Sequence, residues 1–456
     1  MPQGWTEIEL SEITDYKKGK KPKEMQSTPF KGSLVYLDIK AIEKGNDEIF
    51  VDSESSNYTD ENDLIVVWDG ARAGWVAKSR VGAIGSTIMS LTPKINKDFL
   101  LRYLQTQFNY IHSNHRGTGI PHVDPDIFWN IKIPIAPLSE QHRIVAKLDA
   151  VMQKVESNKQ RIDKIPKLLK RFRQSVLAAA VSGKLTEDWR EKNKFDNLFE
   201  ISDQYKINDT YKEQNELPEK WKWVALGNYV KCNRGRFSIR PRNHPGYFGG
   251  KIPFIQIGDL PREGGYVTAH TQTLNESGLK VSKMFPKNTL TIAIVGATIA
   301  NTGILAYDMC FPDSMVGINT GDLDLNLFLD YYLRNEKENF RQLSYAGGGQ
   351  PNIKLELLNA YPFPLPPLEE QKGIVRRVEQ LFAFADKVEA RYTKAKAMLD
   401  KLPQSILAKA FRGELVPQDP NDEPASVLLA RIKAEKEKLA KEKEDKKSKL
   451  LINRRN

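Results

Sequence analysis

Cysteine is nearly absent: Cys232 and Cys310 are the only two in 456 residues, which excludes a disulfide framework or a cysteine-held zinc site. Long apolar runs are missing too. No stretch approaches the ~18 residues needed to cross a bilayer, and Met1-Pro2-Gln3-Gly4-Trp5 opens without the apolar core of a secretory signal. A cytoplasmic protein is expected. No Gly-Lys-Ser/Thr occurs, so there is no phosphate-binding loop for ATP. There is no Asn-Pro-Pro or Asp-Pro-Pro tetrad of the kind amino-methyltransferases use. The pairs Pro125-Asp126 and Pro312-Asp313 could suggest a nuclease, but the nearest downstream Glu-x-Lys, Glu370-Gln371-Lys372, opens a helix. The six histidines show no metal-ligand spacing, and His112 and His115 read as surface polar residues. Neither catalysis nor a bound metal or cofactor is expected of this chain.

Hydrophobic residues make up 40% and charged residues 28%, ordinary for a globular protein and enough for two or three domains. The formal charge of +11 is unevenly placed: residues 431–456 hold 11 Lys/Arg against 5 Asp/Glu, a net of +6. More than half of the excess therefore sits in a tail, and a nucleic-acid reading must rest on local clusters.

The chain is written twice. Pro2, Trp5, Ile8, Leu10 and Gly19-Lys20 return 216 positions later as Pro218, Trp221, Val224, Leu226 and Gly235-Arg236. From Pro121 the shift becomes 230 and stays gapless to Leu185/Leu415. Pro137-Leu138-Ser139-Glu140-Gln141 returns as Pro367-Leu368-Glu369-Glu370-Gln371, and Gln174-Ser175-Val176-Leu177-Ala178 as Gln404-Ser405-Ile406-Leu407-Ala408. The last quarter of each copy matches closely and the rest only at scattered positions. Such a pattern fits a variable surface on a fixed frame.

The matched block carries a heptad seam. Ile144, Leu148, Val151, Val155, Asn158, Ile162, Ile165, Leu169, Phe172 and Val176 alternate spacings of four and three. Ile374, Val378, Leu381, Ala385 and Val388 begin the same phase in the second copy. A helix over 139–181 would be about 65 Å long at ~1.5 Å per residue. A stripe that narrow needs a partner, so the two seams are expected to pair, antiparallel, with Gln141 and Gln371 at the helix starts joining the partner-facing set. Pro166 and Pro403 interrupt the helices, as kinks or as junctions between stacked segments.

The expected fold class is α+β: a pseudo-two-fold duplicated chain whose two mixed α/β recognition domains are separated by an antiparallel coiled coil of two long helices. The expected division is 1–136 and 217–366 for the domains, 137–186 and 367–416 for the helices, 187–216 for a polar linker, and 417–456 for a basic helical tail. Strands are expected at Leu34–Ile39, Leu64–Trp68, Ile252–Ile257 and Leu290–Val295, and helices at Phe99–Tyr110 and Leu325–Leu343.

Phosphate contact needs accessible positive charge. Lys17, Lys18, Lys20, Lys21 and Lys23 surround Gly19, and Lys231, Arg234, Arg236, Arg240 and Arg242 stand at the equivalent place in the second copy. Base reading needs close backbone approach and side chains with donors and acceptors. The loops Arg116-Gly117-Thr118-Gly119-Ile120-Pro121-His122 and Ala346-Gly347-Gly348-Gly349-Gln350-Pro351-Asn352 correspond, with Lys354 just beyond. Gly70-Ala71-Arg72 and Gly296-Ala297-Thr298 form a further matched pair.

Two variable domains, each followed by a Pro-Leu-x-Glu-Gln helix ending in Gln-Ser-(aliphatic)-Leu-Ala and Gly-x-Leu, resemble the specificity subunits of type I restriction–modification enzymes. The resemblance implies that each domain reads one half of a split, asymmetric site in double-stranded DNA, with the paired helices holding them a fixed spacer apart. It also implies two modification subunits that bring S-adenosylmethionine, and up to two translocating nuclease subunits that use ATP and Mg2+. A methylation-only system would use the same chain. A lone enzyme or a coiled-coil scaffold without DNA are the rival classes; labelled methyl transfer and a salt-dependent gel shift separate them.

Overall fold

The structure is a computed structural model that describes residues 1–117, 119–193, 203–207, 216–345 and 351–453, with side chains to residue 442. Its longer helices are α1 (Lys97–Ser113), α2 (Leu138–Ile162), α3 (Ile165–Val181), α4 (Leu323–Asn335), α5 (Lys337–Tyr345), α6 (Leu368–Phe411) and α7 (Ala425–Asn453). Among the described residues, no helix is long and apolar enough to cross a membrane. The chain divides into two compact units, 1–162 with 394–456, and 163–393. The division runs through the repeat helices, so each unit combines one recognition module, the start of that module's own helix and the end of the other copy's helix.

In the first unit, Thr6–Glu9 pairs antiparallel with Lys132–Ile135, and a four-stranded sheet runs in the order 14–18, 88–93, 64–67, 76–78. A five-stranded sheet completes the module. Leu64–Val67 is buried at all four positions, as a strand covered on both faces must be. Trp5, Leu10, Phe99 and Phe128 form the core together with Ile144 and Leu148 of α2 and Ile406 and Ala410 of α6. The ring of Phe411 stands edge-on to those of Phe99 and Tyr103, with centroids 5.2 and 5.0 Å away.

The second unit repeats the plan. Lys222–Ala225 pairs with Pro362–Leu365, and the sheet order 232–234, 315–318, 290–293, 302–305 matches the first module strand for strand, with 266–267 added at the edge. Its core joins Trp221, Phe328 and Phe363 to Val176, Leu177 and Ala180 of α3 and to Ile374 and Val378 of α6.

Each helix start is tied to its module by the same buried bond. The Trp5 indole donates to Glu140 at 3.0 Å, and Trp221 donates to Glu370 at 2.9 Å. The adjacent glutamines are fully buried: Gln141 donates to the Ala136 carbonyl and Gln371 to that of Pro366. Glu370 also accepts from Thr186 and Arg190 on its other oxygen, whereas the second oxygen of Glu140 has no partner among the described residues. Burial raises the Glu140 carboxyl above its ordinary range, against the opposing pull of the Trp5 bond and the Arg143 charge.

Several expectations need correction. The helix read over 139–181 is two helices, α2 and α3, with a turn at Asp163–Lys164. Pro166 sits in the first turn of α3, where its missing N–H would have had no partner. Pro403 lies inside the continuous α6. The span 325–343 is likewise split into α4 and α5. The strand at 34–39 stops at Leu37, because Asp38 caps a short helix from Ile39; the one at 252–257 begins at Phe248 and ends at Phe254. The segment 187–216 opens with a helical turn, Glu187–Lys192, and Tyr205 within it exchanges hydrogen bonds with Asn228. Gln141, Ile144, Leu148, Gln371, Ile374 and Val378 are buried, and the four apolar ones share a core with the end of the other copy's helix as well as with their own module. Val151, Leu381 and Val388 are half-buried, and Val155 is 8% exposed.

Trp5→Phe strips Glu140 of its one donor and should cost about 1–3 kcal/mol in denaturant unfolding, more than Trp221→Phe, since Glu370 keeps Arg190. A carboxyl raised above its ordinary value of 4.5 favours folding below that value and loses the contribution as pH rises through the raised pKa. Glu140→Gln should therefore flatten the decline of stability above about pH 4.5, read from denaturant midpoints against pH.

Candidate nucleic-acid interface

Three loop sets that lie far apart in sequence meet in each module. Gly19 donates to the Ile88 carbonyl at 2.9 Å and Lys20 to that of Ile84 at 3.1 Å. In the second module Gly235 donates to Met315 at 2.9 Å and Arg236 to Phe311 at 3.1 Å. These contacts explain why glycine recurs: a Cβ at Gly19 would lie 2.1 Å from the Gly85 oxygen, and one at Gly235 2.3 Å from that of Pro312. The next link runs from Thr87 to Trp68 and Asp69, and from Ser314 to Ile294. The chain closes on the glycine loops, where Gly70 donates to Pro121 and Val123 to Trp68, matched by Ile353 donating to Ile294. Backbone bridges Asp69↔His122 and Val295↔Asn352 occupy equivalent places. The basic segment, the 70–72 or 296–298 turn and the 116–122 or 351–354 segment thus form one cluster per module.

The side chains on these frames differ. In the first module Lys17, Lys18, Lys20, Lys21 and Lys23 are exposed, with Lys17 5.0 Å from the centre of the Tyr58 ring. Arg72 is paired with Glu43 and lies 5.9 Å over Trp75. Arg116 is held between Asp124 at 2.7 Å and Asp126 at 2.6 Å, and its guanidinium keeps the Asp124 carboxyl below the usual range. Arg72 and Arg116 are thus each held by carboxylates of their own module. His122 Nδ1 lies 2.7 Å from Asp69. Thr118 lies outside the described residues.

In the second module one carboxylate gathers the arginines. Arg242 meets Asp313 at 2.6 Å, Arg240 lies 3.7 Å from its other oxygen, and Arg234 donates to its carbonyl at 2.7 Å. Arg236 is turned away, donating to the Ser282 carbonyl at 2.6 Å. Thr298 keeps a buried hydroxyl without a hydrogen-bond partner among the described residues, and Asn352 and Lys354 are exposed. Gln350 lies outside the described residues. Asp313 was read only as half of a discarded nuclease signature; its position among arginines in the fold was not visible from spacing. The buried Trp–Glu pairs were also missed, although both residues recur in the repeat.

The sequence profile of the type I restriction modification DNA specificity domain matches residues 2–167 and again 218–396. The chain belongs to the specificity subunits of type I restriction–modification systems, which are non-catalytic DNA-recognition subunits. It is 30% identical over 452 residues to the type I restriction enzyme EcoDI specificity subunit of Escherichia coli, covering 96% of each chain. With the MjaVIII specificity subunit of Methanocaldococcus jannaschii it shares 28% over 439 residues, 91% of this chain and 94% of the other. In fold it is similar to the HsdS subunit of Thermoanaerobacter tengcongensis, with a TM-score of 0.60 and 24% identity over 91% of this chain and 98% of that one.

Alanine at Gly19 or Gly235 forces a methyl group into a carbonyl oxygen. Each substitution should destabilise its own module by about 1–3 kcal/mol or more, seen as a lowered midpoint in thermal unfolding, while Gly119→Ala, where a Cβ meets nothing within 4 Å, should not.

Proposed function

We propose that each module reads one half of an asymmetric, bipartite site in double-stranded DNA, and that the repeat helices set the spacer between the halves. The observation that carries this reading is the loop cluster built twice on the same backbone frame with different side chains: exposed lysines in one module, arginines around Asp313 in the other. Equal frames give both modules the same way of meeting a groove; unequal side chains give them different base preferences. Phosphate contacts fall to Lys17, Lys18, Lys20 and Lys21, and to Arg234, Arg236, Arg240 and Arg242. Base edges fall to the loops carrying Arg72, Arg116, Thr118 and His122, and Thr298, Gln350, Asn352 and Lys354.

The division into recognition domains 1–136 and 217–366, helices 137–186 and 367–416, linker 187–216 and tail 417–456 belongs to this proposal. So does the antiparallel coiled coil. Two ion pairs support it: Lys159 with Asp400 at 3.6 Å in the first unit and Arg173 with Asp386 at 2.5 Å in the second. Lys159 in α2 and Arg173 in α3 lie fourteen positions apart going forward in the first repeat, while their partners Asp400 and Asp386 lie fourteen apart going back in α6, as an antiparallel register requires. The exposed flanks of these helices dock two modification subunits, which bring S-adenosylmethionine, and up to two translocating nuclease subunits bring ATP and Mg2+. The complex acts in the cytoplasm.

Methylome sequencing of a host expressing the chain with its modification subunits should reveal one split motif with unlike halves; two identical halves would sink the reading. Cleavage of unmodified DNA, or its lack, then separates a restriction system from a methylation-only one. Lys20→Ala should weaken binding to all sequences and make the salt dependence shallower by about one unit. Seven residues inserted after Val155 should change the spacer length in the motif, and an unchanged spacer rules out the helices as its determinant.

A further inference from the structure

A second concentration of positive charge lies in the second unit, away from the arginines around Asp313. A cavity of about 270 Å³ is enclosed by α3, the turn at 262–264, residues 300–302 and the junction of α4 with α5. Six cations line it: Lys170, Arg173, Arg262, Arg334, Lys337 and Arg341. Two have their own carboxylates. Arg173 pairs with Asp386 and Glu389, and Arg334 lies 3.4 Å from the buried Asp330. No salt bridge joins the other four to any described residue, although Glu263 and Glu338 also line the cavity. Lys337 donates only to the Arg262 carbonyl, at 3.4 Å.

The cavity is built rather than incidental. Gly264 has φ +73°, and a Cβ there would lie 2.5 Å from Arg334 Cδ, so glycine leaves the guanidinium its place. Arg334 is held from the other side by Tyr331 and Phe382, whose ring centres lie 6.0 and 5.3 Å away. Burial first, and then the charges of Arg341, Lys170 and Arg334, pull the Lys337 ammonium below the usual lysine range against the opposing pull of Glu263. Four cations without a salt bridge to any described residue, against Glu263 and Glu338 in the same lining, leave this half-buried space net positive, which favours an anion there.

We propose that this cavity is a phosphate-binding site, whose working ligand is a backbone phosphate of the DNA beside the half-site read by the second module. This rests on the DNA-reading function above. Two observations favour a DNA phosphate over a docking subunit. The corresponding positions of the other copy are Asp400 and Pro403 for Lys170 and Arg173 and, with Phe99 and Tyr103 aligned on Phe328 and Tyr332, Gln105 and Phe108 for Arg334 and Lys337. The groove there is lined by Gln105, Phe108 and Gln404 and carries far less charge. A pair of identical modification subunits would meet like surfaces, and these are unlike. The cavity also adjoins the candidate interface along the chain: Ala300–Thr302 follow the 296–298 turn, and α5 ends at Tyr345, directly before residues 346–350 in sequence.

The test uses the full-length chain, a labelled duplex carrying its methylome-defined site, and the variants K337Q/R341Q and K170Q, which alter different elements. The double variant should bind the duplex about tenfold more weakly, with a salt dependence shallower by about one unit, and keep the same recognised sequence. Both variants should melt no lower than the parent at low salt, because substitution removes a repelling neighbour. Inorganic pyrophosphate should raise the melting temperature of the parent but not of the double variant. If pyrophosphate protection is lost while DNA affinity and salt slope stay unchanged, the DNA assignment is overturned and the ligand is a free phosphate compound. If neither changes, the cavity is not a phosphate site. If the parent chain binds no DNA specifically, the recognition function fails, and the pyrophosphate arm still decides the cavity.

Discussion

The direction in which each repeat helix leaves its module is fixed by a buried indole-to-carboxylate hydrogen bond, and the layout of the molecule depends on it. Trp5 holds Glu140, Trp221 holds Glu370, and in both copies the next residue, a glutamine, donates to the carbonyl at the end of the preceding strand. A charge-assisted bond in a dry site has strict distance and angle requirements. It anchors the first turn of the helix to a strand of the small sheet and leaves little freedom in the exit angle. The second copy reinforces its glutamate with Arg190 and Thr186; the first leaves one oxygen bare and places an Arg143–Asp422 pair nearby. The duplicated frame is thus more tightly specified at one end than at the other.

Much of this was legible in the residues. The two shifts of 216 and 230 identified the modules, and the matched glycines marked places where one backbone passes over another. The heptad phase located the helices and the stripe that each one buries. Ile144, Leu148, Ile374 and Val378 obey the seam spacing, and each is buried in a core that its own module shares with the end of the other copy's helix; spacing alone did not show the module's share, because a stripe of apolar residues fits a sheet edge or a helix equally well. The break before Pro166 and the continuity through Pro403 were not distinguishable in sequence. A proline in a first turn costs nothing, and the same residue mid-helix is tolerated when packing outweighs one lost bond. The Trp–Glu pairs were hidden for another reason: 135 residues separate Trp5 from Glu140, and no local spacing rule reaches that far.

Charge was the least legible property. Runs of lysine and arginine suggest exposed cations, but neutralisation is decided by residues distant in sequence. Arg72 and Arg116 are paired by Glu43, Asp124 and Asp126, and Arg240 and Arg242 of the second module share the Asp313 carboxylate. Pairing need not end a role in binding, since a guanidinium held by a carboxylate is pre-positioned and has donors to spare. Meanwhile Lys170, Arg262, Lys337 and Arg341, scattered over 172 positions, face one cavity without salt-bridge partners.

The end of α6 and the start of α7 supply Ile406, Ala410, Ala425 and Ile432 to the core of the first module, and Ala425 donates to the Gly4 carbonyl. On the ribosome, that module therefore emerges first but can bury its aromatic residues fully only once the second module has been made. Residues 1–162 must persist with an open flank around Phe99 and Tyr103 while more than two hundred residues are added. Completion of the first recognition surface is in this way tied to translation of the whole second one, so a prematurely terminated product would lack not only its second half but also the packing that finishes its first.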